Sequence, residues 1–167
     1  MIATAQPANQ AASPVGRNVA PAYIPVLESA AREIFEVMLG QKLSRVSAEP
    51  PVVADVTVMV GFSGLSRGIF GLHCTAATAC RLATVLLGCD TDEFDERVLD
   101  AVGEVANMVA GSFKSKVPEL GENCVLSVPT VISGVDYHLH SQSAGEHMEL
   151  SLYFEGSPLW LTLDLRK

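Results

Sequence analysis

The last third of the chain contains four strand-like stretches in succession, and this feature constrains the fold more than any other. Apolar and β-branched residues alternate with polar ones in these stretches, and Gly134, Gly145 and Gly156 mark the turns between them. The predicted strands cover residues 123–128, 135–141, 148–155 and 159–165. Because consecutive strands joined by short turns pair in antiparallel fashion, this region predicts an antiparallel sheet.

The first two-thirds of the chain predicts three helices and one β-hairpin. Apolar residues recur at helical spacing in three segments, and a glycine or a proline follows each of them. The predicted elements are a helix that begins at Pro21 and ends at Gly40, a hairpin of residues 52–62 and 67–73, a helix over 76–87, and a helix from about 93 to 116. Together with the strands that follow, this order predicts an α+β fold, with helices packed on the antiparallel sheet.

Length and composition predict one domain preceded by a short tail. A chain of 167 residues corresponds to about one domain. Residues 1–20 are rich in Ala, Pro, Gln, Asn and Ser and contain no apolar core. We therefore expect a disordered tail over residues 1–20 and a single domain over residues 21–167.

Charge and hydropathy exclude several classes of function. The net charge of −8 argues against nucleic-acid binding and against a polybasic membrane anchor, because both require a basic face. The mean hydropathy is +0.30, yet no window of about 18 residues is uninterruptedly apolar, and residues 1–20 lack the features of a secretory signal. We therefore expect a cytoplasmic protein with no nucleic-acid partner and no membrane association.

The third predicted helix carries an unusual polar ridge. At 100° per residue, its core stripe consists of Val98, Val102, Val105, Val109 and Phe113. The opposite, solvent-facing ridge consists of Asp100, Glu104, Asn107 and Gly111. Asn and Gly are poor helix formers, and such local inconsistencies concentrate at functional sites. The alternative interpretation is an ordinary solvated face.

The arrangement of these residues resembles the CheC/CheX/FliY family of response-regulator phosphatases. Asp100 is followed after three residues by Glu104 and after two more by Asn107, with Gly111 one turn later. Pro129 follows after a gap of 21 residues, slightly shorter than the family gap. The neighbouring sequence over residues 104–111 and 126–134 also agrees, and the resemblance extends over about residues 21–166.

The resemblance implies an enzyme that hydrolyses the aspartyl-phosphate of a CheY-like receiver domain. In this interpretation Asn107 orients the attacking water, and Glu104 pairs with a lysine of the receiver. Gly111 contributes to the docking face, which Asp100 either extends or flanks only as a surface charge, while Pro129 and Gly134 shape the backbone. The Mg²⁺ ion belongs to the receiver, so this chain is expected to bind no cofactor and no metal of its own. The alternative is a CheX-like adapter without catalysis, which binds a receiver or acts as a dimerisation scaffold.

The first helix contains a related spacing, with Ser29, Glu33 and Glu36. Glutamate replaces the amide in this copy, and its charge would repel a phosphoryl group, so we expect no second site. One active helix per chain resembles CheX, whose members form homodimers through edge strands, and a homodimer is therefore expected. Residues 90–104 carry seven acids against Arg97, a net charge of −6 that suits a partner with a basic rim.

Three weaker signals are interpreted as structural. His138, His140 and His147 are expected on an exposed strand face, since a zinc site needs a more complete set of ligands. The glycine-rich residues 61–68 lack a following Gly-Lys-Ser/Thr and are expected to form a hairpin turn. The cysteines lack Cys-x-x-Cys spacing and are expected to be reduced core thiols: Cys74, Cys80, Cys89 and Cys124.

Overall fold

The computed structural model describes residues 23–45, 53–91, 94–121, 123–135, 137, 139 and 145–166. The helices of this described part are α1 (Tyr23–Leu39), α2 (Ala76–Leu87) and α3 (Glu96–Lys116). Its strands are β1 (Leu43–Arg45), β2 (Val56–Gly64), β3 (Arg67–Cys74), β4 (Cys124–Leu126), β5 (Thr130–Ser133), β6 (Glu146–Phe154) and β7 (Ser157–Arg166). The predicted α+β class and antiparallel sheet are confirmed.

Within the described residues, the strands form one antiparallel sheet in the order β1-β6-β7-β3-β2-β4, with β5 also paired to β2. Strand β4 pairs with the end of β2, where Leu126 lies opposite Phe62. Strand β5 pairs with the first part of β2, where Thr130 lies opposite Met59. The two short strands therefore lie end to end along one edge of β2.

The helices cover one face of this sheet and bury its apolar side chains. Alternate strand residues, including Val58 and Leu161, are fully buried beneath the helices. Phe113 of α3 contacts Phe62 of β2 edge to face, with ring centroids 6.1 Å apart. Both α1 and α2 pack against α3, which also contacts the sheet, so α3 is held from several sides.

Local capping signals fixed several element ends as predicted. The first helix ends at Gly40, whose φ of +63° is available to glycine without steric cost. Helix α2 begins after Thr75, whose side chain accepts a hydrogen bond from the Thr78 N–H at 3.1 Å. It ends at Gly88, which adopts a left-handed conformation with φ +67°.

Other predicted boundaries were wrong. Helix α3 begins at Glu96 rather than near residue 93, because Asp95 caps its first turn. Strand β1 was not predicted, and its three residues are stabilised by pairing with the distant β6. The strand predicted over 135–141 lies earlier, at Thr130–Ser133, where backbone pairing with β2 holds it. Of the predicted stretch, positions 135, 137 and 139 are outside any strand, and the others lie outside the described residues.

The hairpin between β6 and β7 also differs slightly from its prediction. The turn residues are Glu155 and Gly156, which both have positive φ, and Ser157 and Pro158 already belong to β7. Positive φ at both central positions is typical of a two-residue hairpin turn. The predicted tail over residues 1–20 lies outside the described residues.

Candidate functional site

Helix α3 is anchored firmly at its first turn. The Asp95 carboxylate accepts hydrogen bonds from the backbone N–H groups of Arg97 and Val98, at 3.0 and 3.2 Å. The guanidinium of Arg97 also donates to this carboxylate, and that hydrogen bond holds the pKa of Asp95 below its usual value. With Val98 and Phe113 both fully buried, the helix is a rigid support for the side chains on its other face.

The structure places the predicted ridge on the side of α3 away from the core stripe. Asp100 and Glu104 are exposed, as predicted. Asn107 and Gly111 are half-buried rather than fully solvent-facing. The sequence could not show this difference, because burial depends on residues distant in the chain, such as Leu126 beside Gly111.

Two glycines bring those edge strands close to α3. A Cβ atom on Gly103 would lie 3.6 Å from Val131 Cγ2 and 4.0 Å from Pro129 Cβ. A Cβ atom on Gly111 would lie 4.0 Å from Leu126 Cδ1. Residues four apart lie on the same side of a helix, so Asn107 lies midway between Gly103 and Gly111, the two positions where the edge strands come close to α3. Pro129 therefore lies near the α3 ridge, one turn from Asn107.

Gly103 was missed by the sequence analysis, although it stands four residues before Asn107, as Gly111 stands four residues after it. It is buried, whereas Gly111 is half-buried. The regular spacing of the two glycines was the signal that could have identified it. Gly134, the other predicted backbone-shaping residue, follows β5, and its N–H donates to the Asp55 carbonyl at 3.0 Å.

The polar groups of the ridge are available for a ligand. Within the described part of the chain, neither the Glu104 carboxylate nor the Asn107 amide has a hydrogen-bond or ion-pair partner. Asp100 likewise has no such partner among those residues. A free amide can both accept and donate hydrogen bonds, and a free carboxylate can accept from a cation of a partner.

The related motif on α1 has a different environment. Ser29, Glu33 and Glu36 are all exposed. Glu33 forms a 2.6 Å ion pair with Lys116 and accepts a 3.3 Å hydrogen bond from the Ser112 hydroxyl. The Lys116 hydrogen bond holds the pKa of Glu33 below its usual value. This carboxylate ties α1 to the end of α3.

The histidines of the described region form polar contacts on the outer face of the sheet. The His73 ring nitrogens lie 2.9 Å from the hydroxyls of Thr57 and Thr162, and the ring stacks on Trp160. Burial lowers the pKa of His73 to about 4. His147 lies 2.8 Å from Asp164, whereas His138 and His140 lie outside the described residues.

The cysteine prediction is correct for two of the four residues. Cys74 and Cys124 are buried, and burial raises the pKa of the Cys74 thiol to about 12. Cys80 is half-buried and Cys89 is exposed, so the expectation of core thiols is wrong for Cys89. Cys89 directly follows the cap of α2, where the chain leaves the helix toward the surface.

Among the described residues, no group of three or more His, Cys, Asp or Glu side chains has an arrangement able to hold a metal ion. In the same part of the chain, no helix has the length and apolar character needed to cross a membrane.

Comparison with protein families matches the region that contains this site. The family described as chemotaxis phosphatase CheX matches residues 56–153, which is more than half of the chain. A relative from Thermotoga maritima, the CheY-P phosphatase CheX, is 28% identical over 102 residues, or 60% of this chain. The chain spans 66% of the length of that relative.

Solved structures show the same fold at lower sequence identity. The chemotaxis protein CheX of Vibrio vulnificus has a TM-score of 0.77 and 20% identity, covering 90% of this chain and 100% of that one. A CheX–CheY–BeF3–Mg²⁺ complex from Borrelia burgdorferi has a TM-score of 0.73 and 21% identity, covering 87% of this chain and 98% of that one. By its family match, and in agreement with this fold, the chain belongs to the CheX family.

Proposed function

We propose that this protein is a phosphatase that hydrolyses the aspartyl-phosphate of a CheY-like receiver domain. Water attacks the phosphorus, the bond between phosphorus and the aspartate oxygen breaks, and the receiver regains its carboxylate while dihydrogen phosphate leaves. The observation that carries the proposal is the Asn107 amide beside the Glu104 carboxylate on a capped helix, both without a partner among the residues that the structure describes. The relative named CheY-P phosphatase and the CheX–CheY complex support this choice of substrate.

Asn107 is proposed to orient the attacking water. Its amide oxygen accepts a hydrogen bond from the water, while its NH₂ group donates toward the phosphoryl oxygens. Phosphoryl transfer depends mainly on positioning and charge stabilisation, so a neutral side chain can contribute without being protonated or consumed. The half-buried position between Gly103 and Gly111 limits the motion of this side chain.

Glu104 is proposed to dock the protein on the receiver. It lies about one helical turn from Asn107 and is exposed, so its carboxylate can pair with a lysine beside the phosphoaspartate. Such a pair fixes the helix relative to the reacting phosphorus. Asp100 and Gly111 are proposed to extend the docking face on either side of this pair of residues.

Magnesium is proposed to come from the receiver. Asp100 and Glu104 are the carboxylates of the ridge, and they belong to no group of three or more potential metal ligands in the described residues. The CheX–CheY complex of Borrelia burgdorferi includes Mg²⁺, in agreement with a metal that enters with the partner.

The expected homodimer is likewise a proposal, which sedimentation velocity on the purified full chain would test.

The test is the decay of phosphorylated receiver, in Mg²⁺, with and without this protein. We expect the wild type to accelerate release of inorganic phosphate and Asn107→Ala to abolish most of that acceleration. Glu36→Ala, at the equivalent position of the α1 motif, is the matched control and should behave as the wild type. If the wild type binds the receiver and the decay rate stays unchanged, the adapter interpretation replaces the phosphatase.

A further inference from the structure

We propose that the connection between β4 and β5, residues 127–129, forms a second contact surface for the receiver beside Asn107. In this inference Val128 contacts the partner, and Ser127 is a positioning residue that holds Val128 in place. The inference rests on the proposed function and adds to it an apolar contact and the residue that orients it.

The first step is the location of this connection relative to α3. Leu126, just before it, approaches Gly111, whereas Pro129 and Val131 approach Gly103. The distance along α3 from Gly111 to Gly103 is about 12 Å, and an extended chain covers a similar distance in about four residues. The connection therefore runs antiparallel to α3 and passes Asn107 at its midpoint.

The second step is the irregularity of the sheet edge at this point. Leu126 lies opposite Phe62, and Thr130 lies opposite Met59, so residues 127–129 oppose a pair of β2 residues, Val60 and Gly61. Three residues facing two form a β-bulge, a feature that redirects side chains and is common beside active sites. Val128 is 84% exposed as a result, although it lies beside a well-packed edge.

The third step is the set of hydrogen bonds that hold the bulge. The Ser127 N–H donates to the Gly61 carbonyl at 2.9 Å, and the Gly61 N–H donates to the Ser127 hydroxyl at 2.8 Å. The same hydroxyl donates to the Val128 carbonyl at 2.9 Å. Gly61 permits this approach, because a Cβ atom there would lie 3.3 Å from the hydroxyl oxygen. The Ser127 side chain thus takes the place of regular backbone hydrogen bonds between the strands, and its hydroxyl holds the Val128 carbonyl.

These steps explain what the exposed valine does. A receiver that brings its phosphoaspartate to Asn107 must also approach the connection that passes this residue, where Val128 is an exposed apolar side chain. Burial of such a side chain contributes to affinity without altering the reacting groups. Val128 therefore acts on association with the receiver, while Asn107 acts on the rate of hydrolysis once the receiver is bound.

The chain offers matched controls for both residues. Val125 is 70% exposed on β4, two positions before the connection, and its neighbour Leu126 is the residue that approaches α3. Ser133 is exposed at the end of β5, where no hydrogen bond joins its side chain to a described residue. Val125→Asp and Ser133→Ala change the same residue types on the same edge away from Asn107.

The experiment measures two quantities for the full-length protein: affinity for the beryllofluoride-activated receiver, and single-turnover phosphate release over a range of protein concentrations. We expect Val128→Asp to weaken binding and raise the half-saturating concentration about tenfold, with the limiting rate retained. Ser127→Ala should have an effect of about threefold, which Ser127→Thr reverses because it keeps the hydroxyl. Both control variants should match the wild type, and thermal unfolding of each variant checks that it is folded.

Equal binding by Val128→Asp and Val125→Asp would overturn the contact, and so would a loss of the limiting rate with unchanged affinity. Ser127→Thr that fails to restore affinity would overturn the positioning role. If the wild type binds the receiver without accelerating decay, the proposed hydrolysis fails, yet the binding comparison of Val128→Asp with Val125→Asp still decides this inference.

Discussion

Helices α1 and α3 pack against each other and carry the same spacing of polar residues, yet their glutamates have different environments. Glu33 of α1 is held by Lys116 and Ser112, whereas Glu104 of α3 has no partner within the described residues. The third motif position is the charged Glu36 in α1 and the neutral Asn107 in α3. The comparison teaches that the same spacing can serve two purposes: in α1 the glutamate joins two helices, whereas in α3 it is the group that we propose to meet a partner.

The largest change in receiver affinity should come from reversing the charge of Glu104, with the same change at Glu33 as its control. We expect Glu104→Lys to weaken binding to the activated receiver by tenfold or more, because it places a cation against the receiver lysine. Glu33→Lys should leave receiver affinity near the wild-type value, since the Glu33 carboxylate is paired with Lys116 of α3. Fluorescence titration with beryllofluoride-activated receiver measures both. Equal losses in the two variants would show that the two helices are not functionally different.

An intermediate effect is expected from grafting the α3 motif onto α1. In an Asn107→Ala background, Glu36→Asn alone should restore no phosphate release, because Glu33 stays paired with Lys116. Adding Lys116→Met removes this ion pair and leaves Glu33 only its weaker contact with Ser112, and a small recovery of activity is expected then. Release of inorganic phosphate from the phosphorylated receiver is the measurement. Recovery with Glu36→Asn alone would mean that the Glu33–Lys116 ion pair does not prevent the α1 motif from acting on the receiver.

Replacing Gly103 and Gly111 separates the effect of helix packing from the effect of receiver docking. Gly103→Ala and Gly111→Ala should each stabilise the protein by about 1 kcal/mol, since both glycines lie in a helix interior and a Cβ atom there makes ordinary contacts. Only Gly111→Ala, at the half-buried position, should reduce receiver affinity, by about threefold. Urea unfolding and receiver titration measure the two effects. Reduced affinity in Gly103→Ala alone would reverse the assigned roles.

The smallest effect concerns the acid stability of the α1–α3 contact. Lys116 lowers the pKa of Glu33 below the ordinary 4.5, so the pair stabilises the folded state above that pH. This contribution is lost as the pH falls through the lowered pKa of the folded state. In Lys116→Met we expect a slightly weaker dependence of the unfolding midpoint on pH between about 5 and 3. Identical pH profiles for the two proteins would show that the pair does not contribute.

Sequence reasoning succeeded where local signals determine the structure. Helix α2 was predicted with its observed bounds, because the Thr75 cap and the glycine at position 88 lie within the segment itself. The polar ridge of α3 was also predictable, since its spacing and its resemblance to a family can both be recognised from the sequence alone. In each case a few neighbouring residues carry the information.

The features that were missed depend on distant parts of the chain. Strands β1 and β5 are short, and each is defined by its pairing with a remote strand rather than by its own pattern. The partial burial of Gly111 goes with the approach of Leu126 from β4, a neighbour that a helical wheel does not include. The bulge at Ser127 likewise follows from the register of two strands on β2.

The most direct test of the central claim is single-turnover phosphate release from the phosphorylated receiver at saturating concentrations of Asn107→Ala and of Glu104→Ala. We predict that Asn107→Ala lowers the limiting rate by about a hundredfold or more with its half-saturating concentration unchanged. Glu104→Ala should instead raise the half-saturating concentration. A limiting rate for Asn107→Ala equal to that of the wild type would contradict the assignment of the chemistry to this amide.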